Sequence, residues 1–147
     1  MKQARDDDEL LATLRRHEGW VPHAYQDHLG FWTIGYGRLV DRRRGGGISR
    51  EEGDYLLSND VEQVERGLRS RLDCWDRLTI TQRRALINMG FQLGLNGVMN
   101  FRRMVAALER GDWVEAEREA LDSRWAQQTP GRAAEVAADL RDGRQPA

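Results

Sequence analysis

The sequence contains little cysteine, proline or lysine, and it contains no long apolar run. Cys74 is the one cysteine among 147 residues, so an intrachain disulfide is excluded. One cysteine and three histidines also make a poor ligand set for structural zinc. No stretch approaches the roughly 18 uninterrupted apolar residues of a membrane span. These absences exclude a disulfide-stabilised small protein, a zinc module and a membrane protein, and we expect neither a bound metal nor stable membrane association.

An excess of charge of one sign is lacking as well. The 23 Lys and Arg residues are balanced by 24 Asp and Glu residues, which gives a net charge of −1. A dedicated nucleic-acid binder is usually strongly basic, so the sequence disfavours that class. Lys2 is the only lysine, and we attribute the arginine bias to genome base composition rather than to anion recognition. With 39% apolar and 32% charged residues, the chain is typical of a soluble globular protein.

What the sequence does contain is helical periodicity at both ends of the chain. Leu10, Leu11 and Leu14 share one helix face, and Gly19 is a natural stop, so a first helix ends at or just before Glu18. Helix-capping residues and apolar stripes predict five further helices. The first follows a capping box of Ser49 with Glu52 and ends at about 70, the second begins at Thr79 or Thr81, and the third covers about 98–110. Asp112 with Glu115 caps the fourth, and Thr129 caps the fifth, which has Pro130 at its first position and ends at about 141.

The segment 20–40 is different, because strand-forming residues surround the turn at Asp27-His28-Leu29-Gly30. Gly35 and Gly37 exclude a helix there and indicate close approach of the backbone. We predict a short hairpin or a three-stranded sheet, followed by a polar loop over 42–47. The fold class is therefore α+β in a single domain, with a β lobe over about 19–48 and a helical lobe from about 1–18 and 49–143.

Glu18, Asp27 and Thr33 are the candidates for chemistry. Glu18 lies at a helix C-terminus beside Trp20, and both features disfavour its ionised form, as a general acid near neutral pH requires. Asp27 lies on a polar turn, where a carboxylate stays ionised. Two carboxyls in unlike surroundings are the pair that glycoside hydrolysis uses, and the hydroxyl of Thr33 suits the holding of a water. On the residues alone, purely local structural roles remain an open alternative.

The order of residues around these candidates resembles the catalytic segment of phage-type lysozymes, glycoside hydrolase family 24, in its T-even branch. The segments that carry the resemblance are Arg16-His17-Glu18-Gly19, Ala24-Tyr25-Gln26-Asp27, Thr33-Ile34-Gly35-Tyr36-Gly37, and residues 85–94 and 123–133. The resemblance extends over about 9–143. It implies a lysozyme-like fold whose catalytic cleft lies between the β lobe and the helical lobe.

The resemblance also implies a muramidase that cleaves the β-1,4 bond between N-acetylmuramic acid and N-acetylglucosamine in peptidoglycan. Glu18 would protonate the leaving oxygen, and Asp27 with Thr33 would activate the attacking water, with inversion at the anomeric carbon. Inversion needs a separation of roughly 6.5–9.5 Å between the two carboxyl groups. No cofactor is needed, and the expected partner is a peptidoglycan glycan strand bound by a monomer.

Further roles follow from the resemblance. Leu39, Phe91 and Gln92 match positions that line the saccharide cleft, although Phe91 fits an ordinary core position equally well. Arg132 matches an arginine that pairs with the catalytic glutamate, and such a cation would favour the ionised carboxyl, so the balance at Glu18 stays open. Arg38 stands where the branch has histidine, and we predict an ion pair between Arg38 and Asp60.

The sequence leaves three alternatives to a muramidase. They are a peptidoglycan-binding module without activity, an arginine-rich protein that binds nucleic acid or a protein partner, and a transglycosylase. The pattern of Glu18, Asp27 and Thr33 disfavours the first, and the charge balance disfavours the second. A transglycosylase lacks a water-activating aspartate and leaves anhydro ends. Because the first nine residues lack the apolar core of a secretory signal, we expect synthesis in the host cytoplasm. The enzyme would then act on the periplasmic wall after a membrane breach, as a phage or prophage endolysin.

Overall fold

The computed structural model describes residues 6–40, 42 and 47–142. By its internal contacts the chain divides into an N-terminal unit, Met1–Tyr55, and a C-terminal unit, Leu56–Ala147. The described residues form an α+β fold, as predicted, whose elements in chain order are α1 (Asp8–Glu18), β1 (Val21–Gln26), β2 (Trp32–Gly35), β3 (Arg38–Leu39), α2 (Arg50–Arg71), a 3₁₀ turn (Trp75–Arg77), α3 (Ile80–Met99), α4 (Arg102–Glu109), α5 (Trp113–Leu121), α6 (Arg124–Gln128) and α7 (Pro130–Arg141). The N-terminal unit therefore contains both α1 and the sheet, whereas the sequence analysis assigned residues 1–18 to the helical lobe. The boundaries of the two lobes stay a prediction.

Helix α1 begins and ends where its local chemistry requires. The Asp7 carboxylate accepts a hydrogen bond from the amide of Leu10 at 3.1 Å and so caps the first turn. Gly19 ends the helix with a φ of 74°, which favours glycine, and its amide donates to the Arg15 carbonyl at 3.0 Å. Acidic residues in the first turn and basic residues in the last complement the helix dipole. The predicted end at Glu18 is confirmed.

The β segment is a three-stranded antiparallel sheet in the order β1-β2-β3. Strands β1 and β2 pair Tyr25 with Thr33, and β2 pairs Thr33 with Leu39 of β3, so Thr33 lies on the central strand. Gly35 ends β2 and Gly37 lies in the turn between β2 and β3, with φ values of 68° and 67°. A side chain is strained at such angles, which explains why glycine occupies both positions.

Helix α2 begins with the predicted capping box. The Glu52 amide donates to Ser49 Oγ and the Ser49 amide donates to Glu52 Oε1, each at 3.1 Å. The hydrogen bond from the Ser49 amide is the main reason that the Glu52 pKa lies below its ordinary value. Arg38 pairs with Glu52, so the predicted partner Asp60 was wrong: the capping box already places a carboxylate beside β3. Of the predicted polar loop over 42–47, only 42 and 47 are among the described residues.

Helix α3 also begins with a capping box, between Thr79 and Gln82, which resolves the alternative between Thr79 and Thr81. The buried Gln82 side chain donates in addition to the Leu140 carbonyl at 2.9 Å, which ties the start of α3 to the end of α7. Gly94 interrupts α3 with a φ of 76°. The helix then continues to Met99, so the prediction of a new helix from about residue 98 was wrong. Helix α4 starts at Arg102, four residues after the predicted start at about 98.

Two details near the C-terminus also differ from the sequence-based expectation. The short helix α6 was not predicted, and Ser123 caps it by accepting from the Ala126 amide at 3.1 Å. Thr129 precedes α7, but its hydroxyl donates to the Trp125 carbonyl at 3.0 Å rather than capping the helix. Proline at the first position of α7 and the Asp112 cap of α5 are confirmed.

The hydrophobic core lies in the C-terminal unit. Its fully or almost fully buried apolar residues come from α2 to α7, and α5·α7, α3·α7 and α4·α5 are the principal helix pairs. Leu86, Met89 and Leu108 are among the side chains with no exposed surface. Burial raises the pKa of the Cys74 thiol to about 11, and the nearby Glu109 carboxylate adds to this shift. Within the described residues, no helix combines the length and apolar character that crossing a bilayer demands.

Candidate active site

Asp27 lies in a tight turn that fixes one of its carboxylate oxygens. Oδ1 accepts hydrogen bonds from the backbone amides of Leu29 at 2.9 Å and Phe31 at 2.8 Å. The backbone closes the same turn, because the Asp27 amide donates to the Phe31 carbonyl at 2.8 Å. Asp27 itself is half-buried. The turn therefore orients the carboxylate, and because both amides bind Oδ1, Oδ2 is the oxygen with capacity to accept a proton from a water.

Thr33 is linked to Asp27 through a single intervening residue. The Thr33 hydroxyl donates to the Phe31 carbonyl at 3.2 Å, while the Phe31 amide donates to Asp27. Thr33 is the only buried residue in the described part of the N-terminal unit, with 4% of its surface exposed. Because its proton is used by the Phe31 carbonyl, its oxygen lone pairs are oriented to accept a hydrogen bond. The structure therefore brings two of the three proposed catalytic residues into one hydrogen-bonded group.

Glu18 is the last residue of α1 and is exposed. Its carboxyl group lies against Gly37, in the turn between β2 and β3. Glu18 also lines a groove of about 330 Å³ within the N-terminal unit, whose other lining residues are Leu11, Leu14, Arg15 and Tyr36. The sheet and the first helix thus meet at this carboxyl group, and the glycine gives it room.

An aromatic pair lies next to Glu18, and of its two members the sequence predicted only Trp20 as a neighbour of the acid. The rings of Trp20 and Tyr36 are 5.0 Å apart with a 47° tilt, and the Arg15 guanidinium lies 6.0 Å from the Tyr36 ring centre. Trp20 is 62% exposed, which is unusual for so large an apolar side chain. The sequence signal was present, because Trp20 follows the Glu-Gly helix end and Tyr36 lies between the two glycines.

The predicted saccharide-binding residues lie in both units. Leu39 is 47% exposed and is the cross-strand partner of Thr33, so it belongs to the same sheet as the aspartate turn. Phe91 is 44% exposed on α3 and is therefore not an ordinary core residue. It lines a pocket of about 420 Å³ in the C-terminal unit, together with Leu57, Val61, Glu65, Arg84, Ile87, Asn88 and Arg132. Their roles in sugar binding stay predictions.

Arg132 is held by Asn88 on the facing helix of the C-terminal unit. Its Nε donates to Asn88 Oδ1 at 2.8 Å, and one Nη donates to the Asn88 carbonyl at 3.0 Å. The sequence did not identify Asn88 as the partner of this arginine. The two bonds fix the guanidinium plane at the pocket that Phe91 also lines. The proposed pairing of Arg132 with Glu18 stays a prediction.

Gln92 is oriented by the buried Trp125. The indole Nε1 of Trp125 donates to Gln92 Oε1 at 2.9 Å, and Trp125 is 5% exposed with its ring packed edge-on against Phe101 at 6.0 Å. Trp125 is therefore a core residue of the C-terminal unit. The amide group of Gln92 retains its two N–H donors, so the side chain is suited to contact a hydroxyl or a carbonyl oxygen.

Comparisons with known proteins show which family the chain is similar to. Residues 15–145 match the family described as phage lysozyme. The chain is 32% identical over 152 residues to the pre-baseplate central spike protein Gp5 of Enterobacteria phage T4, an alignment that covers 86% of this chain but 26% of that protein. It is 28% identical to the probable T4-type lysozyme 1 of Dictyostelium discoideum, covering 88% of this chain and 92% of that protein. A protein named endolysin, from Acyrthosiphon pisum secondary endosymbiont phage 1, is 29% identical, covering 76% of this chain and 74% of that protein.

Proposed function

The chain belongs to the phage lysozyme family and is a glycoside hydrolase, and from this premise we propose that it is a muramidase of bacterial peptidoglycan. The bond cleaved is the β-1,4 linkage between N-acetylmuramic acid and N-acetylglucosamine. The observation that carries the proposal is the arrangement of Asp27 and Thr33, which share Phe31 as a hydrogen-bonding bridge. A water bound between Oδ2 of Asp27 and the Thr33 oxygen would be held by two acceptors.

In the proposed reaction, Glu18 donates its proton to the glycosidic oxygen as the bond to the anomeric carbon breaks. The water attacks the opposite face of the sugar and passes a proton to Asp27, so the product has inverted configuration. The hydrogen bonds that the Asp27 carboxylate accepts from the Leu29 and Phe31 amides fix its position, so the carboxylate does not have to be reorganised during the reaction. Arg132, Leu39, Phe91 and Gln92 would position the glycan strand and the acid.

The decisive experiment compares isosteric variants on purified peptidoglycan. Glu18→Gln removes the proton donor and should lower hydrolysis by at least about 100-fold, since general acid catalysis supplies that much or more. Asp27→Asn should have a similar effect, and it is a clean test because the asparagine oxygen still accepts from the Leu29 and Phe31 amides. Glu9→Gln, an exposed change in the first turn of α1, is the matched control and should leave activity unchanged.

Product analysis separates the competing chemistries. An inverting hydrolase releases the α-anomer first, which proton NMR of early products detects, and it leaves reducing N-acetylmuramic acid ends. Initial release of the β-anomer would contradict inversion, and anhydro ends would indicate a transglycosylase. Full activity of Glu18→Gln would refute the assignment of the acid. Peptidoglycan binding without hydrolysis by the unmodified protein would favour an inactive binding module.

We also propose that the protein acts as a monomeric endolysin of a phage or prophage, made in the host cytoplasm and reaching the wall after the membrane is breached. The endolysin relative supports this setting, whereas the spike-protein relative would fit a component of the phage particle. Expression inside Gram-negative cells tests the proposal. The cells should stay intact until the membrane is permeabilised and should then lyse within minutes, and Glu18→Gln should abolish that lysis.

A further inference from the structure

Gly37 stands out among the glycines because of what a side chain there would meet. An ideal Cβ atom at position 37 would lie less than 3.0 Å from Glu18 Oε2, 3.2 Å from Cδ and 3.5 Å from the Glu18 Cβ atom. Real Cβ atoms essentially never approach other atoms below 3.0 Å. The space that a methyl group would occupy at Gly37 is therefore the space that the carboxyl group of Glu18 occupies.

Gly35 provides an internal comparison, because it lies two residues before Gly37 and has nearly the same positive φ. Their φ values are 68° and 67°, so alanine would be strained to a similar degree at either position. A Cβ atom at Gly35 would meet only an edge carbon of Trp20, at 3.6 Å, which is an ordinary van der Waals contact. Positive φ explains a glycine at both positions, but the contact with the acid is found only at Gly37.

We propose that Gly37 is a positioning residue for Glu18: the bare backbone of the β2–β3 turn is the surface on which the carboxyl group rests while it donates its proton. This inference rests on the proposed role of Glu18 as the general acid. Glu18 ends a helix and is exposed. The turn supplies a restraint at the carboxyl group itself.

The consequence is a separation between stability and catalysis. The atom that a methyl group would displace is the far end of a flexible side chain, so it can move aside at little cost to folding. The same movement takes the carboxyl group several tenths of an ångström from its working position. A misplacement of about 1 Å can slow an enzymatic reaction by about 100-fold. Substitution at Gly37 should therefore affect turnover far more than it affects the fold.

The test compares Gly37→Ala with Gly35→Ala on soluble glycan strands from peptidoglycan. Both variants should lose a similar few degrees of Tm, about 3–6 °C, because both place alanine at positive φ. Gly37→Ala should lower kcat by about 30- to 100-fold and change KM by less than about threefold, since the acid moves but the sugar contacts remain. Gly35→Ala should keep kcat within about threefold.

Two kinetic outcomes would overturn the inference about Gly37. If Glu18→Gln is inactive in the same experiments, the proposed function is unaffected by either of them. One is near-normal kcat in Gly37→Ala, and the other is an equal loss of kcat in Gly35→Ala, which would assign the effect to backbone strain. An active Glu18→Gln variant would remove the premise instead, and the inference with it.

A measurement on the unmodified protein decides the matter even if Gly37→Ala does not fold. Nuclear Overhauser effects between the α-protons of Gly37 and the γ-protons of Glu18 should be strong, and the corresponding effects from Gly35 should be absent. Absence of the Gly37 effect would show that the carboxyl group does not rest on the turn, and would overturn the inference.

Discussion

The N-terminal and C-terminal units of this protein are built on different physical principles. Every buried apolar residue among those that the structure describes lies between Leu68 and Leu140, in the C-terminal unit. In the described part of the N-terminal unit only Thr33 is buried, and hydrogen-bonded turns and caps hold Asp27, both ends of α1 and the start of α2. The proposed acid, base and water-binding hydroxyl all belong to that unit.

This difference indicates how the chain separates stability from chemistry. A packed apolar core contributes the larger part of folding free energy, whereas short polar turns contribute little but fix the direction of individual side chains. Carboxyl groups that must meet water and sugar cannot lie in such a core, because burial of an unpaired charge is costly. We therefore expect core variants to affect unfolding and turn variants to affect turnover.

The largest effect that tests this comparison is in the core. Leu86→Ala removes a fully buried side chain from α3 and should lower the free energy of unfolding by about 3 kcal/mol. Leu29→Ala removes the same atoms from the aspartate turn of the N-terminal unit, where the side chain is 58% exposed, and should cost less than about 0.5 kcal/mol. Urea unfolding of both variants measures the difference, and equal losses would contradict the contrast between the units.

An intermediate effect is expected at Thr33. Thr33→Val keeps the shape of the side chain but removes the hydrogen bond to the Phe31 carbonyl, which should cost about 1 kcal/mol of unfolding free energy. It should also lower hydrolysis by about tenfold or more, because the proposed water loses one of its two acceptors. Thr33→Ser is the control, since it loses a methyl group but keeps the hydroxyl. If Thr33→Val hydrolyses peptidoglycan at the normal rate, Thr33 has only a structural role.

The smallest effect is electrostatic and depends on pH. The Ser49 amide, and to a lesser extent Arg38, hold the pKa of Glu52 below its ordinary value of 4.5. A lowered pKa in the folded state means that the charged form stabilises the fold above about pH 4.5, and that this contribution disappears as the pH falls through the lowered value.

Glu52→Gln should therefore lower Tm slightly at pH 7 and leave it unchanged near pH 3. Glu51→Gln, at the neighbouring exposed position, is the control, and its effect on Tm should be the same at pH 7 and near pH 3. Thermal unfolding followed by circular dichroism checks this expectation. A larger difference between Glu52→Gln and the wild type at pH 3 than at pH 7 would contradict the sign of the linkage.

Local chemistry made much of the fold predictable. The Ser49–Glu52 capping box, the Asp112 cap, the glycine after Glu18 and Pro130 at the start of α7 each act within about four residues. Because the interacting residues are this close in the sequence, the pattern of residue types was sufficient to predict the corresponding helix ends. The turn residues and the two glycines indicated a hairpin or a three-stranded sheet, and the structure has the three-stranded sheet.

The errors arose where a local pattern competes with contacts from distant parts of the chain. The sequence indicated a new helix near residue 98, but α3 passes through Gly94 and continues to Met99, because Val98 packs into the core. The resemblance assigned Arg38 to Asp60, whereas in the fold Arg38 pairs with Glu52. Thr129 was predicted to cap α7, but its hydroxyl donates to the Trp125 carbonyl instead.

By itself, the sequence determined which side chains are proposed for the chemistry: a glutamate at a helix end, an aspartate in a turn and a threonine on a strand, in the order of a phage lysozyme. Only the tertiary structure decided how those groups are held. Phe31 joins Asp27 to Thr33 through its two backbone groups, and Gly37 leaves the space in which the Glu18 carboxyl group lies. The physical reason is that residue identity fixes charge and hydrogen-bonding capacity, whereas the choice of partner depends on distances that arise only when the strands, turns and helices have packed.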